Sequence, residues 1–377
     1  MSRSVLVVAG EISGDMHAAK LVHAARARDP SLRFYGIGGD FLRAEGVEIL
    51  YDVKDMAVLG LWEVLKRYLF FHRVFHELLA IAKERKPDAV LLVDYPGFNL
   101  RFAKKAHEMG IKVVYYVCPQ VWAWHRSRIP AMAKTIDRLL AIFPFEPDVF
   151  KGSGLRVDYV GHPLVEQARA SMERPPEDLR WPGETRVALL PGSRRQELER
   201  ILPSMWQAAG EIEKRLPSSG FLLAAASDEM EQLARDIITL VPGGPSRWRI
   251  VKGSTYEILK QARAAIVTSG TATLETALMN CPMIVVYRTA WATYHIGKHL
   301  VKVPHLGMVN LIAGRTLCPE FIQDAATPKA MADAMMPIIQ DSPARRTMLE
   351  GLAEVRNALG EGGAAERAAA ALFEELG

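Results

Sequence analysis

The chain has 377 residues, of which 49% are hydrophobic and 24% are charged, and its formal net charge is +4. This length suits two domains of ordinary size with a large core, whereas the mild basic excess is too small to indicate a nucleic-acid-binding protein. The three cysteines are scattered without a CxxC pattern, which argues against a disulfide framework or a zinc site and predicts a reducing, cytoplasmic setting.

Apolar residues occur in short runs. No uninterrupted run approaches the roughly 20 residues that a helix needs to span a bilayer, so we expect any membrane association to be peripheral. The first predicted strand begins at Val5, which leaves no room for a basic and apolar leader, and no signal peptide is expected. The basic excess suits anionic substrates or an anionic membrane surface.

The first part of the chain alternates apolar runs, glycine turns and helical runs, which predicts a parallel α/β domain. Residues 5–9 form the first strand, and the turn at 10–15 follows it. Such turns lie at the carboxyl end of a parallel sheet, where ligands bind. The turn holds three candidate contacts for a sugar or an acceptor, which are Ser13, Gly14 and Asp15. Because His17 has no third ligand nearby, we expect no metal. Further strands are predicted at residues 34–39, 47–51, 87–94, 112–117, 139–143 and 156–160.

Residues 56–82 carry more aromatic and aliphatic side chains than one face of a core helix can bury, and basic residues such as Lys66 and Arg73 flank them. Two interpretations stay open. The segment is either an ordinary amphipathic core helix or a surface that enters a membrane interface or holds acyl chains. A second basic, aromatic helix is predicted at residues 291–303. The candidates for membrane or acyl contact are Trp62, Leu65, Leu69, Phe70, Phe71, Trp291 and Tyr294.

Asp94 ends a strongly apolar strand and precedes a Pro-Gly turn. A carboxylate at the carboxyl end of a central strand is well placed for acid–base chemistry, and an Asx-turn or helix cap is the structural alternative. His162 follows the strand at residues 156–160 and is expected to be a structural loop residue rather than a base.

The loop after the strand at residues 112–117 combines Trp122 with Arg126 and Arg128. Aromatic faces and guanidinium groups in one loop form a candidate platform for a sugar or a phosphate. A stretch rich in Pro and charge at residues 172–184 then predicts a domain linker.

A second alternating series follows the linker, with strands predicted at residues 186–190, 221–226, 249–252, 264–267 and 283–287. Two of its turns place small residues between a strand and a helix, a geometry that aims backbone N–H groups at an anion. These turns supply the candidate nucleotide contacts Ser193, Arg194, Ser269, Gly270 and Thr271. Arg194 could pair with a phosphate, and Glu275 could accept hydrogen bonds from ribose hydroxyls. A plain helix cap with a solvated Glu275 is the alternative.

Eight motifs, in order along most of the chain, carry a resemblance to a known family. They are residues 9–15 (AGEISGD), 36–39 (GIGG), 93–99 (VDYPGFN), 119–124 (PQVWAW), 160–163 (VGHP), 190–194 (LPGSR), 269–275 (SGTATLE) and 310–314 (NLIAG). Together they resemble the bacterial lipid-A-disaccharide synthases, inverting glycosyltransferases of the GT-B class with two Rossmann-like parallel-sheet domains facing a crevice. Gln120 departs from the pattern, which has a small residue, often Ser, at this position.

The resemblance implies transfer of a sugar from UDP-2,3-diacylglucosamine to 2,3-diacylglucosamine 1-phosphate (lipid X), without a metal or another cofactor, by a protein peripheral to the cytoplasmic face of the inner membrane. Asp94 then becomes the candidate base, and Asn310 joins the nucleotide contacts while Arg315 joins the acceptor or sugar contacts. The expected domains are 1–170 for the acceptor and membrane and 185–343 for the UDP-sugar. The helices in 344–377 could pack back on the first domain or on a partner chain in a homodimer.

Two rival interpretations remain open at this point. Another UDP-sugar enzyme of the same architecture, such as a soluble epimerase or a peptidoglycan-precursor transferase, would share the nucleotide turn and the glutamate. A non-catalytic lipid-binding protein on the same fold would bind UDP without turnover.

Overall fold

The computed structural model describes residues 3–56, 68–300 and 303–377 of the chain. It contains two compact units, the first formed by Met1–Pro163 with Gly362–Gly377 and the second by Leu164–Glu361. Each unit is built on a parallel sheet with helices between its strands, which confirms the predicted class of two Rossmann-like domains. The domain limits expected from the sequence, 1–170, 185–343 and 344–377, stay a prediction.

The first unit contains a seven-stranded parallel sheet. Its strands are β1 (Ser4–Ala9), β2 (Arg33–Gly38), β3 (Glu48–Asp52), β4 (Ala89–Val93), β5 (Lys112–Tyr116), β6 (Arg138–Ala141) and β7 (Arg156–Tyr159). They lie in the order β3-β2-β1-β4-β5-β6-β7, so the order reverses between β1 and β4. This reversal is a topological switch point, the place where open α/β sheets bind ligands.

The described helices of the first unit before the linker are α1 (Ile12–Arg28), α2 (Asp40–Ala44), α3 (Val53–Met56), α4 (Tyr68–Arg85), α5 (Pro96–Glu108), α6 (Val121–Trp124), α7 (Ile129–Thr135) and α8 (Glu146–Val149). Strand β4 is completely buried and consists only of Ala, Val and Leu, as expected for a strand covered on both faces. Phe98 and Phe102 of α5 pack with Phe75 of α4 in the core on one side of the sheet.

The second unit contains a six-stranded parallel sheet. Its strands are β8 (Thr185–Leu190), β9 (Ser219–Ala225), β10 (Trp248–Lys252), β11 (Ala264–Thr268), β12 (Met283–Tyr287) and β13 (Glu320–Ile322). The order β10-β9-β8-β11-β12-β13 places its switch point between β8 and β11. Strand β13 was not predicted from the sequence, because three half-buried residues carry too little periodicity to be recognised.

The described helices of the second unit are α9 (Leu164–Glu173), α10 (Arg195–Arg215), α11 (Asp228–Leu240), α12 (Thr255–Gln261), α13 (Thr271–Leu278), α14 (Trp291–Leu300), α15 (Met308–Ala313), α16 (Pro328–Ile339) and α17 (Pro343–Leu359). Three of them begin with a hydroxyl that caps the first turn, because Ser227, Thr327 and Ser342 each accept a hydrogen bond from a backbone N–H three residues later.

The last helix, α18 (Ala364–Leu376), belongs to the first unit and packs on α1. Arg138 of β6 is buried beneath it and donates to the carbonyl of Ala371 at 2.9 Å and to Glu374 at 2.9 Å. Arg138 also pairs with Asp158 of β7. Among the described residues, no helix is both long enough and apolar enough to cross a membrane.

Candidate active site

The loops that follow β1 and β4 are neighbours at the switch point of the first sheet, because Ala9 pairs with Val93 in register. The first loop leads through Glu11 into α1, and the second carries Asp94 and Tyr95. The loops also touch directly, since a side chain on Gly10 would place its Cβ 2.3 Å from the Tyr95 ring. Gly10 is therefore required here by close packing, and it brings the first turn of α1 beside Asp94.

The backbone at this edge of the sheet is strained. Asp94 and Tyr95 have φ of +49° and +48°, and Val117 at the end of neighbouring β5 has φ of +65°. A β-branched residue in the left-handed region costs on the order of 1–3 kcal/mol, and such strain clusters at functional sites. Nothing in the local sequence predicts a positive φ at Tyr95 or Val117.

Asp94 occupies an environment that suits a general base. Burial, followed by the negative charge of Glu11, raises the pKa of its carboxyl to about 6, and the Tyr95 N–H opposes this shift. Its backbone carbonyl accepts hydrogen bonds from the Asn99 amide at 2.8 Å and from the Tyr115 hydroxyl at 2.5 Å. These bonds fix the backbone that carries the carboxyl.

Of the three candidates in the turn after β1, only Ser13 is exposed. Asp15 is 1% exposed, and its carboxylate accepts hydrogen bonds from the N–H groups of Gly39, Phe41 and Leu42. The prediction that Asp15 contacts a sugar is therefore corrected, because its oxygens cap the start of α2. Gly14 is buried too.

The tryptophan loop divides into a buried and an exposed part. Trp122 is 5% exposed and donates its indole N–H to Glu146 at 3.0 Å, so it offers no free ring face to a sugar and that prediction is corrected. Trp124 is 52% exposed and takes its place as the accessible ring. Arg126 and Arg128 are exposed, and neither forms an ion pair with another described residue.

Two histidines near this site are uncharged at neutral pH. Burial, followed by the charge of Lys20, lowers the pKa of His17 to about 4. Burial, followed by the charge of His17, lowers the pKa of His162 to about 3. A group with so low a pKa is a weak base at neutral pH, which favours Asp94 over His162 for proton abstraction.

In the second unit the loops after β8 and β11 are also neighbours, because Leu190 pairs with Val267. In the first of these loops, the backbone N–H groups of Ser193 and Arg194 both donate to Glu197, at 3.0 and 3.2 Å. The Arg194 side chain is 77% exposed and forms an ion pair with Glu197. An anion could therefore bind the Arg194 guanidinium in this turn. The backbone N–H groups of Ser193 and Arg194 already donate to Glu197.

The loop after β11 leaves a helix N-terminus open. Gly270 precedes α13 with φ of +143°, provides no side-chain cap, and has no atom within 4 Å of the position where a Cβ would lie. No hydrogen bond is found for the N–H groups of Gly270, Thr271 and Ala272 among the described residues. Ser269 is held by its hydroxyl, which donates to the Leu306 carbonyl at 2.9 Å. Open N–H groups at a helix N-terminus form a ready anion site.

Glu275 lies one turn into α13 and is half-buried. Burial raises the pKa of its carboxyl, and the neighbouring Tyr256 hydroxyl offsets part of this effect. No described basic side chain forms an ion pair with Glu275, so its carboxyl can accept from hydroxyl donors besides Tyr256. The contact of Glu275 with a ribose stays a prediction.

Asn310 and Arg315 differ in burial and in their partners. Asn310 is fully buried, and its amide donates to the Cys318 carbonyl and Glu320 and accepts from the Leu317 and Cys318 N–H groups. The prediction of direct nucleotide contact is therefore corrected, because the whole bonding capacity of Asn310 supports its own loop. Arg315 pairs with Glu354 of α17 at 2.6 Å.

The membrane candidates divide in a similar way. Leu69 and Trp291 are 80% and 74% exposed. Phe70 and Phe71 are half-buried and pack against the core of the first unit, and their contact with a membrane or an acyl chain stays a prediction. Tyr294 is half-buried as well. Trp62 and Leu65 lie outside the described residues.

The family model described as lipid-A-disaccharide synthetase matches residues 5–372 of this chain. The chain belongs to the lipid-A-disaccharide synthetase family. The sequence-based resemblance to the lipid-A-disaccharide synthases is thereby confirmed. The lipid-A-disaccharide synthase of Syntrophus aciditrophicus is 44% identical over 372 residues, which cover 98% of this chain and 96% of that protein. The lipid-A-disaccharide synthase of Myxococcus xanthus is 43% identical over 378 residues, which cover 99% and 97%.

Solved structures confirm the GT-B architecture of this member of the lipid-A-disaccharide synthetase family. The UDP-GlcNAc 2-epimerase of Neisseria meningitidis, solved with UDP-GlcNAc bound, superposes with a TM-score of 0.63 at 14% identity and covers 98% of this chain and 100% of its own. MurG of Acinetobacter baumannii superposes with a TM-score of 0.60 at 14% identity, covering 99% of each chain. At such identities the likeness concerns the fold alone.

Several residues of the site were missed by sequence reasoning. Glu197 occupies the N–H groups of the first nucleotide turn, and Glu146 holds Trp122. A glutamate three residues after Arg194 matches the spacing of a capping box and could have been found. Nothing in the local sequence marks the contact between Glu146 and Trp122, because Trp122 lies on a different loop.

Proposed function

We propose that this chain transfers the sugar of UDP-2,3-diacylglucosamine to the 6-hydroxyl of lipid X with inversion at the anomeric carbon. The products are the β-1,6-linked disaccharide 1-phosphate and UDP. The family match over residues 5–372 supports this substrate pair. The structural observation that carries the proposal is the strained and half-buried Asp94 at the switch point of the first sheet.

In the proposed mechanism, Asp94 takes the proton of the acceptor 6-hydroxyl while that oxygen bonds to the anomeric carbon of the donor. The bond between this carbon and the diphosphate oxygen breaks, and UDP leaves with the electron pair. A carboxyl with a pKa of about 6 is mostly ionised at neutral pH yet more basic than an ordinary aspartate. Both properties favour general-base catalysis near pH 7.

The second unit is proposed to hold the donor. Diphosphate would accept hydrogen bonds from the open N–H groups at Gly270 and Thr271 and pair with Arg194, which would stabilise the charge that develops on departing UDP. Glu275 would accept hydrogen bonds from the ribose hydroxyls. Two features support this arrangement: the half-buried Glu275, which pairs with no described basic side chain, and the uncapped start of α13.

The first unit is proposed to hold the acceptor. Arg126 and Arg128 would pair with the 1-phosphate of lipid X, and the exposed ring of Trp124 would contact its sugar. Since both substrates carry acyl chains, we further propose that the protein lies peripherally on an anionic membrane surface, the cytoplasmic face of the inner membrane. The exposed Leu69 and Trp291 are the described residues that support such contact.

The test is a product assay with the purified protein, UDP-2,3-diacylglucosamine and lipid X. We expect mass spectrometry to detect a disaccharide 1-phosphate in the presence of EDTA, and proton NMR of the new linkage to show the β configuration. A new UDP-sugar formed without lipid X would instead identify an epimerase. UDP binding without any product would contradict an enzymatic role.

A further inference from the structure

Glu146, the first residue of α8, is a completely buried carboxylate that the proposed reaction does not use. One of its oxygens accepts hydrogen bonds from the backbone N–H groups of Ile142 and Phe143, at 3.1 and 3.0 Å. The other oxygen accepts the indole N–H of Trp122 at 3.0 Å. All three of these groups donate hydrogen bonds, so each of the two oxygens of the Glu146 side chain must be an acceptor.

These donors come from two different loops. Ile142 and Phe143 follow β6, whereas Trp122 belongs to the loop that follows β5, and the two strands are neighbours in the sheet. The Cys118 thiol, at the start of the same β5 loop, also contacts Glu146 and donates to the Pro119 carbonyl at 3.2 Å. Glu146 therefore joins two loops that the chain connects only through α6, α7 and β6.

The indole of Trp122 is fixed by aromatic contacts as well. Its ring meets Phe145 edge to face with 5.1 Å between centroids, and Phe145 stacks on Phe143 at 5.7 Å. Edge-to-face and offset contacts of this kind restrict ring orientation. The hydrogen bond to Glu146 adds a further restraint on the position of the indole.

The other end of the β5 loop reaches the proposed acceptor groups. Trp124, Arg126 and Arg128 lie two to six residues beyond Trp122 and are exposed. The start of the loop is tied to the base, because Tyr115 of β5 donates to the Asp94 carbonyl. The separation between the base and the two arginines thus depends on how the middle of the loop, at Trp122, is held.

We propose that Glu146 is a positioning residue for the acceptor, which holds the loop at Trp122 so that Arg126 and Arg128 stand at a fixed distance from Asp94. The inference deepens the proposed function and rests on it for the identity of the acceptor. The hydrogen bonds themselves do not depend on that identity. Glu146 acts through Trp122 and touches no substrate.

Glu146→Gln is the informative substitution, because it keeps the shape of the side chain and removes one acceptor. The amide oxygen can still accept from Ile142 and Phe143, but the NH₂ group then faces the Trp122 N–H, donor against donor. Trp122→Phe removes the indole N–H and keeps an aromatic ring. In the double variant the two donors no longer oppose each other, so the loop is expected to regain part of its order.

In steady-state kinetics with lipid X and UDP-2,3-diacylglucosamine, Glu146→Gln should raise KM for lipid X roughly tenfold and change KM for the donor less than about twofold, since misplacing a binding group acts on its own substrate. The double variant should recover part of the loss. A general loss of folded protein would instead lower the active fraction and leave both KM values unchanged. Unchanged KM for lipid X in Glu146→Gln would overturn the proposal.

A second readout needs no substrate. Hydrogen exchange of the backbone amides in residues 119–128 should be at least about tenfold faster in Glu146→Gln than in the wild type, and intermediate in Trp122→Phe. If exchange is faster in Glu146→Gln but the wild-type protein transfers no sugar to lipid X, the role of Glu146 in holding the loop is supported. The identity of the proposed acceptor is then contradicted. Unchanged exchange in Glu146→Gln would contradict the positioning role itself. If Glu146→Gln does not fold, the exchange rate of the same residues in Trp122→Phe tests that role instead.

The matched control is Glu257→Gln, which alters another buried glutamate that accepts a backbone N–H, from Glu177 at 3.1 Å. Glu257 belongs to α12 of the second unit, whereas the tryptophan loop belongs to the first. This variant should leave the exchange of residues 119–128 and KM for lipid X unchanged. An equal effect of both substitutions would reduce the role of Glu146 to general stability.

Discussion

Asp94 has an unfavourable backbone conformation, and its environment disfavours the ionised form of its carboxyl. Its φ of +49° lies in the left-handed region, and burial with the nearby Glu11 charge raises the pKa of its carboxyl to about 6. These effects disfavour the charged carboxylate in the folded protein, so protonation of Asp94 stabilises the folded state relative to the unfolded chain. That stabilisation is complete below the ordinary value of 3.8 and is lost as the pH rises through 6.

Asp94→Asn should therefore lower activity and raise stability together. We expect kcat to fall by about 10²–10⁴, as for loss of a general base, while the free energy of unfolding at pH 7.5 rises by roughly 1–3 kcal/mol. Asn tolerates a positive φ, so the backbone should accept it. Activity assays and urea denaturation of both proteins at pH 7.5 and pH 4 would measure the two effects.

The pH dependence supplies the control for this substitution. In the wild type, kcat/KM should decrease below the carboxyl pKa of about 6. Residual activity of Asp94→Asn should lack this decrease, whereas a decrease that persists would come from the acceptor phosphate, which titrates near the same pH. The stability gain should shrink towards pH 4. Near-normal turnover of the variant would assign the base to another residue.

At the scale of elements, α18 is attached to the first unit by a buried guanidinium. Arg138 of β6 is 5% exposed in its side chain and donates to Glu374 and to the Ala371 carbonyl of α18. Arg156 of β7 also pairs with Glu374, at 2.7 Å, but its side chain is 51% exposed. The two arginines make similar contacts and differ chiefly in burial.

Arg138→Ala should destabilise the attachment of α18 far more than Arg156→Ala. Arg138→Ala removes a donor from the buried Ala371 carbonyl, whereas water screens the exposed Arg156–Glu374 pair and solvates the group left behind when Arg156 is removed. Hydrogen exchange of residues 364–376 and urea denaturation would compare the variants. Equal effects of the two substitutions would show that packing on α1, and not the buried charge, holds the helix.

At the scale of the whole molecule, the exposed apolar side chains and the net charge of +4 favour contact with an anionic surface. Leu69→Asp and Trp291→Asp should each lower the fraction of protein that sediments with anionic liposomes by at least about threefold, because each replaces an inserted apolar group with a charge that the lipid repels. Leu240→Asp is the matched control, since Leu240 is 82% exposed on α11. Equal binding of all three variants would exclude Leu69 and Trp291 from the contact.

Much of this molecule could be predicted from local patterns. Strands such as β4 are continuous apolar runs, and the turns after β1 and β11 contain the glycines that sharp strand-to-helix turns need. Family membership was predicted from motifs of four to seven residues and is confirmed over residues 5–372. Each of these signals is contained in a short stretch of chain.

Local sequence patterns were therefore enough to predict the α/β class, the two sheets, the family and the position of Asp94 at a strand end. Only the tertiary structure decided which polar side chains of the motifs are free. Asp15, Trp122 and Asn310 are buried by partners on other loops or further along the same loop. Burial and hydrogen-bond satisfaction depend on groups that meet only after folding, so a motif marks such a residue without distinguishing a ligand contact from a support.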